Sequence, residues 1–200
     1  MKGDKKAAIG RPRSTTDEEI VIAARQCFLE SGVGISVGEI AKELGVSHTT
    51  LFNRFGSKEG LMLAALGPPQ EIEWISTLDS GPDERPIRSQ LVEFAKVIAS
   101  FFCDLHYRLG LLQAAGIDPS EACDHSKSEQ AFQSLVSWLQ QAQGEGRLAH
   151  CDVEIVASTI LGSLQGHAFT NKLHGQEDAP SDSGEYVERL INSMWNGIGV

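Results

Sequence analysis

The sequence predicts an all-α protein. Apolar residues recur at intervals of three and four along most of the chain, as at Ile20, Ala24 and Phe28, which is the period of a helix buried on one side. Windows that alternate between apolar and polar residues, the pattern of a half-buried strand, are few. Serine, threonine or aspartate precedes many of the apolar runs, and glycine or proline follows them, as expected at helix ends. No sheet is predicted.

Four short helices are predicted in the first third of the chain. The first begins near Thr16, where Thr16-x-x-Glu19 fits a capping box, and Gly32 ends it. Each of the other three begins at a serine, whose side-chain oxygen can accept a hydrogen bond from a backbone N–H of the first turn. The predicted capping residues are, in order, Thr16, Ser36, Ser47 and Ser57.

A pair of prolines marks the predicted domain boundary. Pro68 and Pro69 cannot continue the fourth helix, because proline lacks the backbone N–H and restricts the residue before it. We therefore predict a flexible basic arm over residues 1–13, a small helical domain over 14–67 and a larger helical domain over 68–200. Helices in the larger domain are predicted to begin near Gln70, Glu84, Lys127, Asp152 and Glu185.

The two domains differ in charge. The whole chain carries a formal net charge of -10. Residues 1–60 hold 9 Lys and Arg against 8 Asp and Glu, whereas residues 61–200 hold 8 against 19. The acidic larger domain would be repelled by phosphate, so any surface that binds nucleic acid belongs to the N-terminal part.

Cysteine spacing and hydropathy predict a cytoplasmic protein. The four cysteines are far apart and form no Cys-x-x-Cys pair, which favours a reducing compartment without structural disulfides. The basic N-terminus is not followed by an apolar stretch, so it does not resemble a signal peptide. No apolar run is long enough for a membrane helix.

Residues 36–55 combine two short helices with a glycine between them. The first would bury Ile40 and Ala41, and the second Leu51 and Phe55. Gly45, between them, permits a positive φ that other residues resist. This is the pattern of a helix-turn-helix, whose second helix enters the major groove of DNA.

Short polar side chains open the second of these helices. They let the backbone come close to a duplex, and their hydroxyl and imidazole groups can reach base edges or phosphates. The N-terminus of the helix itself favours an anion. The candidate DNA-binding residues on and after this helix are Ser47, His48, Thr49, Thr50, Asn53, Arg54 and Lys58.

The same stretch resembles the tetracycline-repressor (TetR) family of regulators. That family's N-terminal domain typically reads Thr/Ser-x-x-x-Ile-Ala, Gly-Val-Ser, Leu-Tyr-x-His-Phe and Ser-Lys-Glu-x-Leu. The matching residues here are Ser36 with Ile40-Ala41, then Gly45-Val46-Ser47, Leu51-Phe52-Asn53-Arg54-Phe55, and Ser57-Lys58-Glu59 with Leu61. The resemblance implies that His48 and Thr49 read bases, and that Ser36 and Lys58 bind phosphate.

Two positions depart from the family pattern. Phe52 replaces a usual tyrosine, so a hydrogen bond from a phenol to phosphate is lost. Arg54 replaces a frequent histidine and can restore a phosphate contact through its charge. Both residues remain in the predicted interface with altered chemistry.

The basic arm offers a further contact. Gly10-Arg11-Pro12-Arg13 resembles short arms that reach into the minor groove, where Arg11 and Arg13 would favour narrow A·T tracts. The alternative is a disordered, solubilising tail.

The last two helices are similar to the dimerisation helices of the family. In that family they form a four-helix bundle with the same helices of a partner, which implies a homodimer. An ordinary intrachain core is the alternative interpretation of the same residues. The predicted interface residues are Ile160, Gly162, Ser163, Gly166, Leu190, Met194 and Trp195.

The middle helices, 84–118 and 127–143, are expected to enclose a pocket for an unknown small-molecule effector if the family's logic holds. Aromatic residues at helical spacing commonly form core instead, which is the alternative. The candidate lining residues are Phe101, Phe102, Tyr107, Gln113 and Trp138.

Together these features predict a DNA-binding transcription regulator, a homodimer that represses at a palindromic double-stranded operator until a ligand releases it. A metal-responsive regulator is one rival, since Cys103-x-x-His106, Cys123-x-His125 and His150-Cys151 contain zinc or copper ligands. Their scattered positions form no compact metal signature. A helical adaptor without DNA binding is the other rival. No enzyme motif is present, and no cofactor is predicted.

Overall fold

The computed structural model describes residues 15–122, 125–173 and 180–198. Over these residues the chain is helical and has no strand, which confirms the predicted class. Arg11 and Arg13 of the predicted arm lie outside the described residues. The helices are α1 Asp17–Ser31, α2 Val37–Glu43, α3 His48–Phe55, α4 Lys58–Leu66, α5 Glu73–Asp79, α6 Ile87–Ala114, α7 His125–Gly144, α8 Val153–Leu173 and α9 Pro180–Ile198, with a 3-10 turn at Pro119–Ala122.

Contacts divide the chain into two compact units, residues 1–65 and 66–200. In the first unit, α1 and α2 both begin with the predicted capping boxes. The N–H of Glu19 donates to Thr16 Oγ1 over 3.1 Å, and the N–H of Thr16 donates back to Glu19 Oε2 over 2.8 Å. Ser36 and Glu39 repeat the arrangement at α2. These bonds satisfy backbone donors that the first turn of a helix leaves unpaired.

The core of the first unit is formed by one face of each of its helices. Arg25 Nε also donates to the carbonyl of Ala65 over 2.7 Å and so joins α1 to α4. The fully buried core side chains include Ile20, Phe28, Ile40, Leu51 and Leu61.

Four helices of the second unit begin at other residues than predicted. α7 begins at His125, two residues before Lys127. α6 begins at Ile87 instead of Glu84, because Pro86 has an extended backbone with ψ 129 and precedes the helix as its N-cap. α9 begins at Pro180 instead of Glu185, since the fixed φ of proline suits the first helical position. α5 begins at Glu73, later than the predicted start near Gln70.

The core of the second unit lies among α5, α6, α7, α8 and α9. One charged residue of the second unit, Arg108, is also buried, with 1% of its surface exposed. Arg108 Nε pairs with Asp104 at 2.9 Å, and Arg108 Nη1 donates to the carbonyl of Gly67 over 2.7 Å. None of the described helices has the length and apolar content needed to cross a membrane.

Candidate nucleic-acid interface

The turn between α2 and α3 has the predicted geometry. Gly45 adopts φ 65, in the left-handed region where a side chain is unfavourable. The N–H of Val46 donates to the carbonyl of Ala41 over 3.0 Å and closes the turn. Leu51, 1% exposed, anchors α3 to the core of the unit. One side of α3 is therefore held in the core while the other faces solvent.

The exposed side of α3 carries His48, Thr49, Phe52 and Asn53. Their spacing of one and four residues places them on one face, opposite Leu51. The rings of His48 and Phe52 lie 4.6 Å apart at an interplanar angle of 44°. Phe52 is 39% exposed, which is unusual for a phenylalanine inside a small domain. The face thus presents polar groups beside an aromatic surface.

The hydroxyl groups of the capping residues Ser36 and Ser47 already form hydrogen bonds within the first unit. Ser36 Oγ donates to Glu39 Oε2 over 2.6 Å, so its single proton is already used. This hydroxyl and the N–H of Ser36 hold the pKa of Glu39 below its usual range. The hydroxyls of Ser47 and Thr50 lie 2.7 Å apart and share one proton, which leaves the other available.

Both predicted phosphate cations also have partners within the first unit. Arg54 Nη1 lies 2.6 Å from the carbonyl of Thr15 and 2.9 Å from Asp17 Oδ1, at the start of α1. Lys58 Nζ donates to the carbonyl of Val33 over 2.7 Å. These contacts use some of the five guanidinium and three ammonium donors, so both groups retain donors for a phosphate.

A cavity of about 770 Å³ lies within the second unit. Phe101 and Phe102 line it, as predicted residues of the effector pocket. The other three predicted residues do not belong to its wall. Trp138 is 1% exposed and lies in the core, where Phe94 packs edge-on against it at 5.4 Å. Tyr107 is 36% exposed. Gln113 is exposed on α6, four residues beyond Leu109, which is the last α6 residue of the wall.

Several residues of the cavity wall were not predicted from the sequence. They come from four separate segments, namely the approach to α5 with its first turn, α6, the first turns of α7, and α8. His106 could have been predicted, because it follows Phe101 and Phe102 by five and four residues and so shares their face of the helix. The other wall residues carry no such signal in the sequence. The additional wall residues with polar groups are Gln70, Trp74, His106, Lys127, Ser128 and Gln165.

The predicted dimer residues differ in their exposure. Ile160 is 2% exposed and belongs to the chain's own core, so it offers almost no surface to a partner. Gly162 and Gly166 are exposed on α8. A Cβ atom at either glycine would meet nothing within 4 Å. The half-buried members of the predicted set are Ser163, Leu190, Met194 and Trp195.

The candidate metal ligands that the structure describes lie in separate parts of the second unit. Cys103 and His106 lie on α6, and His150 and Cys151 lie just before α8. Cys123 lies outside the described residues. Among the described residues, no group of three or more histidine, cysteine, aspartate or glutamate side chains is placed to hold a metal ion.

Two family descriptions match the chain. "Bacterial regulatory proteins, tetR family" matches residues 20–65, and "AefR-like transcriptional repressor, C-terminal domain" matches residues 120–194. The HTH-type transcriptional repressor BdcR of Escherichia coli (strain K12) is 31% identical over 135 residues, which is 67% of this chain. The matched region spans 65% of the length of BdcR, slightly less than two thirds.

Solved structures of the same class share the fold. A TetR-family transcriptional regulator from Mesorhizobium loti MAFF303099 is 18% identical with a TM-score of 0.67, over 92% of this chain and 96% of that one. The transcriptional regulator FadR from Bacillus subtilis, in complex with stearoyl-CoA, is 17% identical with a TM-score of 0.54, over 88% and 97%. The helix-turn-helix and the helical second unit define a class of bacterial regulator. The chain belongs to the TetR family, whose members are DNA-binding regulators and not enzymes.

Proposed function

We propose that this protein is a transcription repressor that binds a palindromic operator as a homodimer and leaves it when a small molecule binds. The observation that carries the proposal is the exposed face of α3, on which His48, Thr49, Phe52 and Asn53 stand beside each other. A helix in the major groove reads sequence through such side chains. The near-neutral charge of residues 1–60 favours DNA at this unit over the acidic second unit.

The roles within the interface divide by chemistry. His48 and Thr49 carry groups that can meet base edges, whereas Lys58 and Arg54 carry charges that meet phosphate regardless of sequence. Ser36 contributes through the helix that it caps, because its hydroxyl proton is held by Glu39. Arg11 and Arg13 are proposed to add minor-groove contacts.

A homodimer is supported by the exposed side of α8. Ile155 is 61% and Phe169 50% exposed, and Gly162 and Gly166 lie between them on the same side. Successive spacings of seven, four and three residues place these four residues along one face of the helix, and the glycines permit close approach of a second helix. Two copies would bring two α3 helices to half-sites about 34–36 Å apart, or a multiple of that distance.

Release by a small molecule is supported by the cavity in the second unit. Its volume of about 770 Å³ lies within the range of small-molecule sites, and FadR, which shares the fold, was solved with stearoyl-CoA. A ligand that binds one conformation better than another would shift the dimer away from the conformation that fits the operator.

The first test is a gel shift with the DNA upstream of the protein's own gene. We expect a specific shift at physiological salt, and an affinity that falls steeply as salt rises. Failure to shift any fragment at low salt, with a folded dimer confirmed by light scattering, would contradict the proposal and favour the helical adaptor.

Two variants then test the division of roles. His48→Ala should relax sequence preference at one or two base pairs, with a loss of about 1–3 kcal/mol for the preferred sequence. Lys58→Ala should weaken binding to all sequences alike and reduce the salt slope by about 1. Because Lys58 also bonds to Val33, the melting temperature of each variant is measured alongside. Identical effects of the two variants across operators would contradict the assigned roles.

A further inference from the structure

The cavity of the second unit has a lysine in its wall, and the wall residues that the structure describes include no acidic one. Lys127 and His106 belong to the wall, and none of the described residues that line it is aspartate or glutamate. Most of the remaining wall is apolar, with the aromatic rings of Trp74, Phe101 and Phe102 on one side. A site of this kind favours an occupant with a large apolar part and a negative charge.

Lys127 belongs to the wall and lies near the N-terminus of a helix. It is in the first turn of α7, whose backbone N–H groups carry a partial positive charge. Ser128 follows it in the wall and adds a hydroxyl donor. Lys127 is half-buried, so its charge is less screened by water than that of a surface lysine.

The carboxylates that the structure describes nearest in sequence to Lys127 and His106 have other partners. Asp104 pairs with Arg108 at 2.9 Å. Glu129 Oε1 accepts from Gln133 Nε2 over 2.8 Å. Neither acid belongs to the wall, so neither supplies the cavity with a counter-charge.

His106 supplies a second polar group in a defined orientation. Its Nδ1 lies 2.8 Å from the carbonyl oxygen of Phe102. Because a carbonyl only accepts, Nδ1 carries a proton, and Nε2 is the remaining nitrogen. Nε2 can accept from an acid or hydroxyl group, or donate to an anion once it is protonated.

We propose that the effector is an organic anion. It would have an apolar body of rings or a chain among the aromatic residues, and one acidic group, a carboxylate, sulfonate or phosphate, at Lys127. This inference rests on the proposed function, since it names the chemical class of the molecule that releases the repressor.

A matched pair of fluorescent probes tests the proposal. 1-Anilinonaphthalene-8-sulfonate and N-phenyl-1-naphthylamine have the same aromatic body, and the sulfonate is present in the first alone. We expect the wild-type full chain to bind the sulfonate probe at least about tenfold more tightly than the neutral one. Lys127→Gln should remove that preference and leave the neutral probe within about twofold of its wild-type affinity.

Three further variants locate the effect. Lys127→Arg keeps the charge and should keep the preference. Lys96→Gln removes a lysine that pairs with Glu188 outside the cavity wall, and it should behave as wild type. Ala131→Phe fills part of the cavity and should weaken both probes; Leu105→Trp serves the same purpose if Ala131→Phe does not fold, as judged by circular dichroism.

The outcomes separate this inference from the proposed function. Equal affinity for the two probes, no binding of either, or an unchanged preference in Lys127→Gln would overturn the assignment of an anionic effector. None of these results depends on DNA. Lys127→Gln should still shift operator DNA like wild type, so a protein that fails to bind DNA contradicts the proposed function and not the charge of the cavity.

Discussion

Phe52 is the residue at which this chain and the family pattern differ most clearly. Its ring is 39% exposed on the same face of α3 as His48, so a hydroxyl added at the ring edge would reach solvent without disturbing the core. On the proposed function, that hydroxyl would also reach a phosphate oxygen, and hydrogen bonds to charged groups contribute about 1.5–3 kcal/mol.

Phe52→Tyr should therefore bind all operators about tenfold more tightly, at an unchanged melting temperature. Fluorescence anisotropy with labelled DNA measures the affinity. Phe169→Tyr makes the same chemical change on an exposed ring of α8, and it should leave DNA affinity alone. An unchanged Kd in Phe52→Tyr would indicate that position 52 does not face the backbone of the duplex.

Two glycines inside helices of the first unit differ in the space around them. A Cβ atom at Gly60 would lie 2.1 Å from the carbonyl oxygen of Phe55. The backbone would have to move to relieve this clash. At Gly38 the nearest atom to such a Cβ is Ser36 Oγ at 3.8 Å, an ordinary contact. Nothing in the fold explains Gly38.

Gly60→Ala is accordingly expected to lower the free energy of unfolding by about 1–3 kcal/mol, because the added methyl group overpacks its site. Gly38→Ala should raise it by about 0.5–1 kcal/mol, because alanine has the better helix propensity. Urea unfolding of the two variants measures both values. A loss of stability in Gly38→Ala would contradict the open space at that position.

At the scale of single elements, the capping box of α2 couples a helix end to pH. Hydrogen bonds from the side chain and backbone of Ser36 lower the pKa of Glu39 in the folded protein. A carboxyl whose pKa is lower in the folded state than in the unfolded state stabilises the fold at pH values above its unfolded pKa. That contribution is lost as pH falls through the folded pKa.

The difference in melting temperature between wild type and Glu39→Gln should thus be present at pH 7 and should shrink at acid pH, below about pH 4. Differential scanning fluorimetry over a pH series measures it. In a Ser36→Ala background, which lacks the hydroxyl, the same substitution should have a smaller effect at pH 7. A difference that grows as pH falls would contradict the assigned direction.

For the whole molecule, the exposed side of α8 makes the clearest prediction. Gly162 is exposed, and a Cβ there would meet nothing within 4 Å of the chain itself. A longer side chain is therefore tolerated by the isolated fold, and glutamine also improves helix propensity. In the proposed dimer, the same side chain would stand between two closely packed helices.

Gly162→Gln should remain folded but dissociate to monomers at concentrations at which wild type is a dimer, as measured by light scattering. Operator affinity should fall with it, because one half-site is then bound at a time. Gly38→Gln, at another open helical glycine, should leave the oligomeric state unchanged. A wild-type protein that is monomeric throughout would contradict the proposed dimer directly.

The starts of α1 and α2 can be predicted from sequence because their caps are local. Thr16 with Glu19 and Ser36 with Glu39 lie three residues apart, and their hydrogen bonds form as predicted. α9 begins five residues before its predicted start, because the polar stretch that opens it resembles a loop although proline is compatible with the first helical position.

The sequence by itself determined the helical class, the caps of α1, α2 and α3, and the positive φ of Gly45, because each depends on neighbours within a few residues. Tertiary structure decided which polar groups are available. It placed Arg54 against Asp17, buried Arg108 against the carbonyl of Gly67, and brought Lys127 to the same cavity as Phe101. These contacts join residues 20 or more positions apart, and a periodic pattern specifies which face of a helix is buried but not which distant side chain meets it.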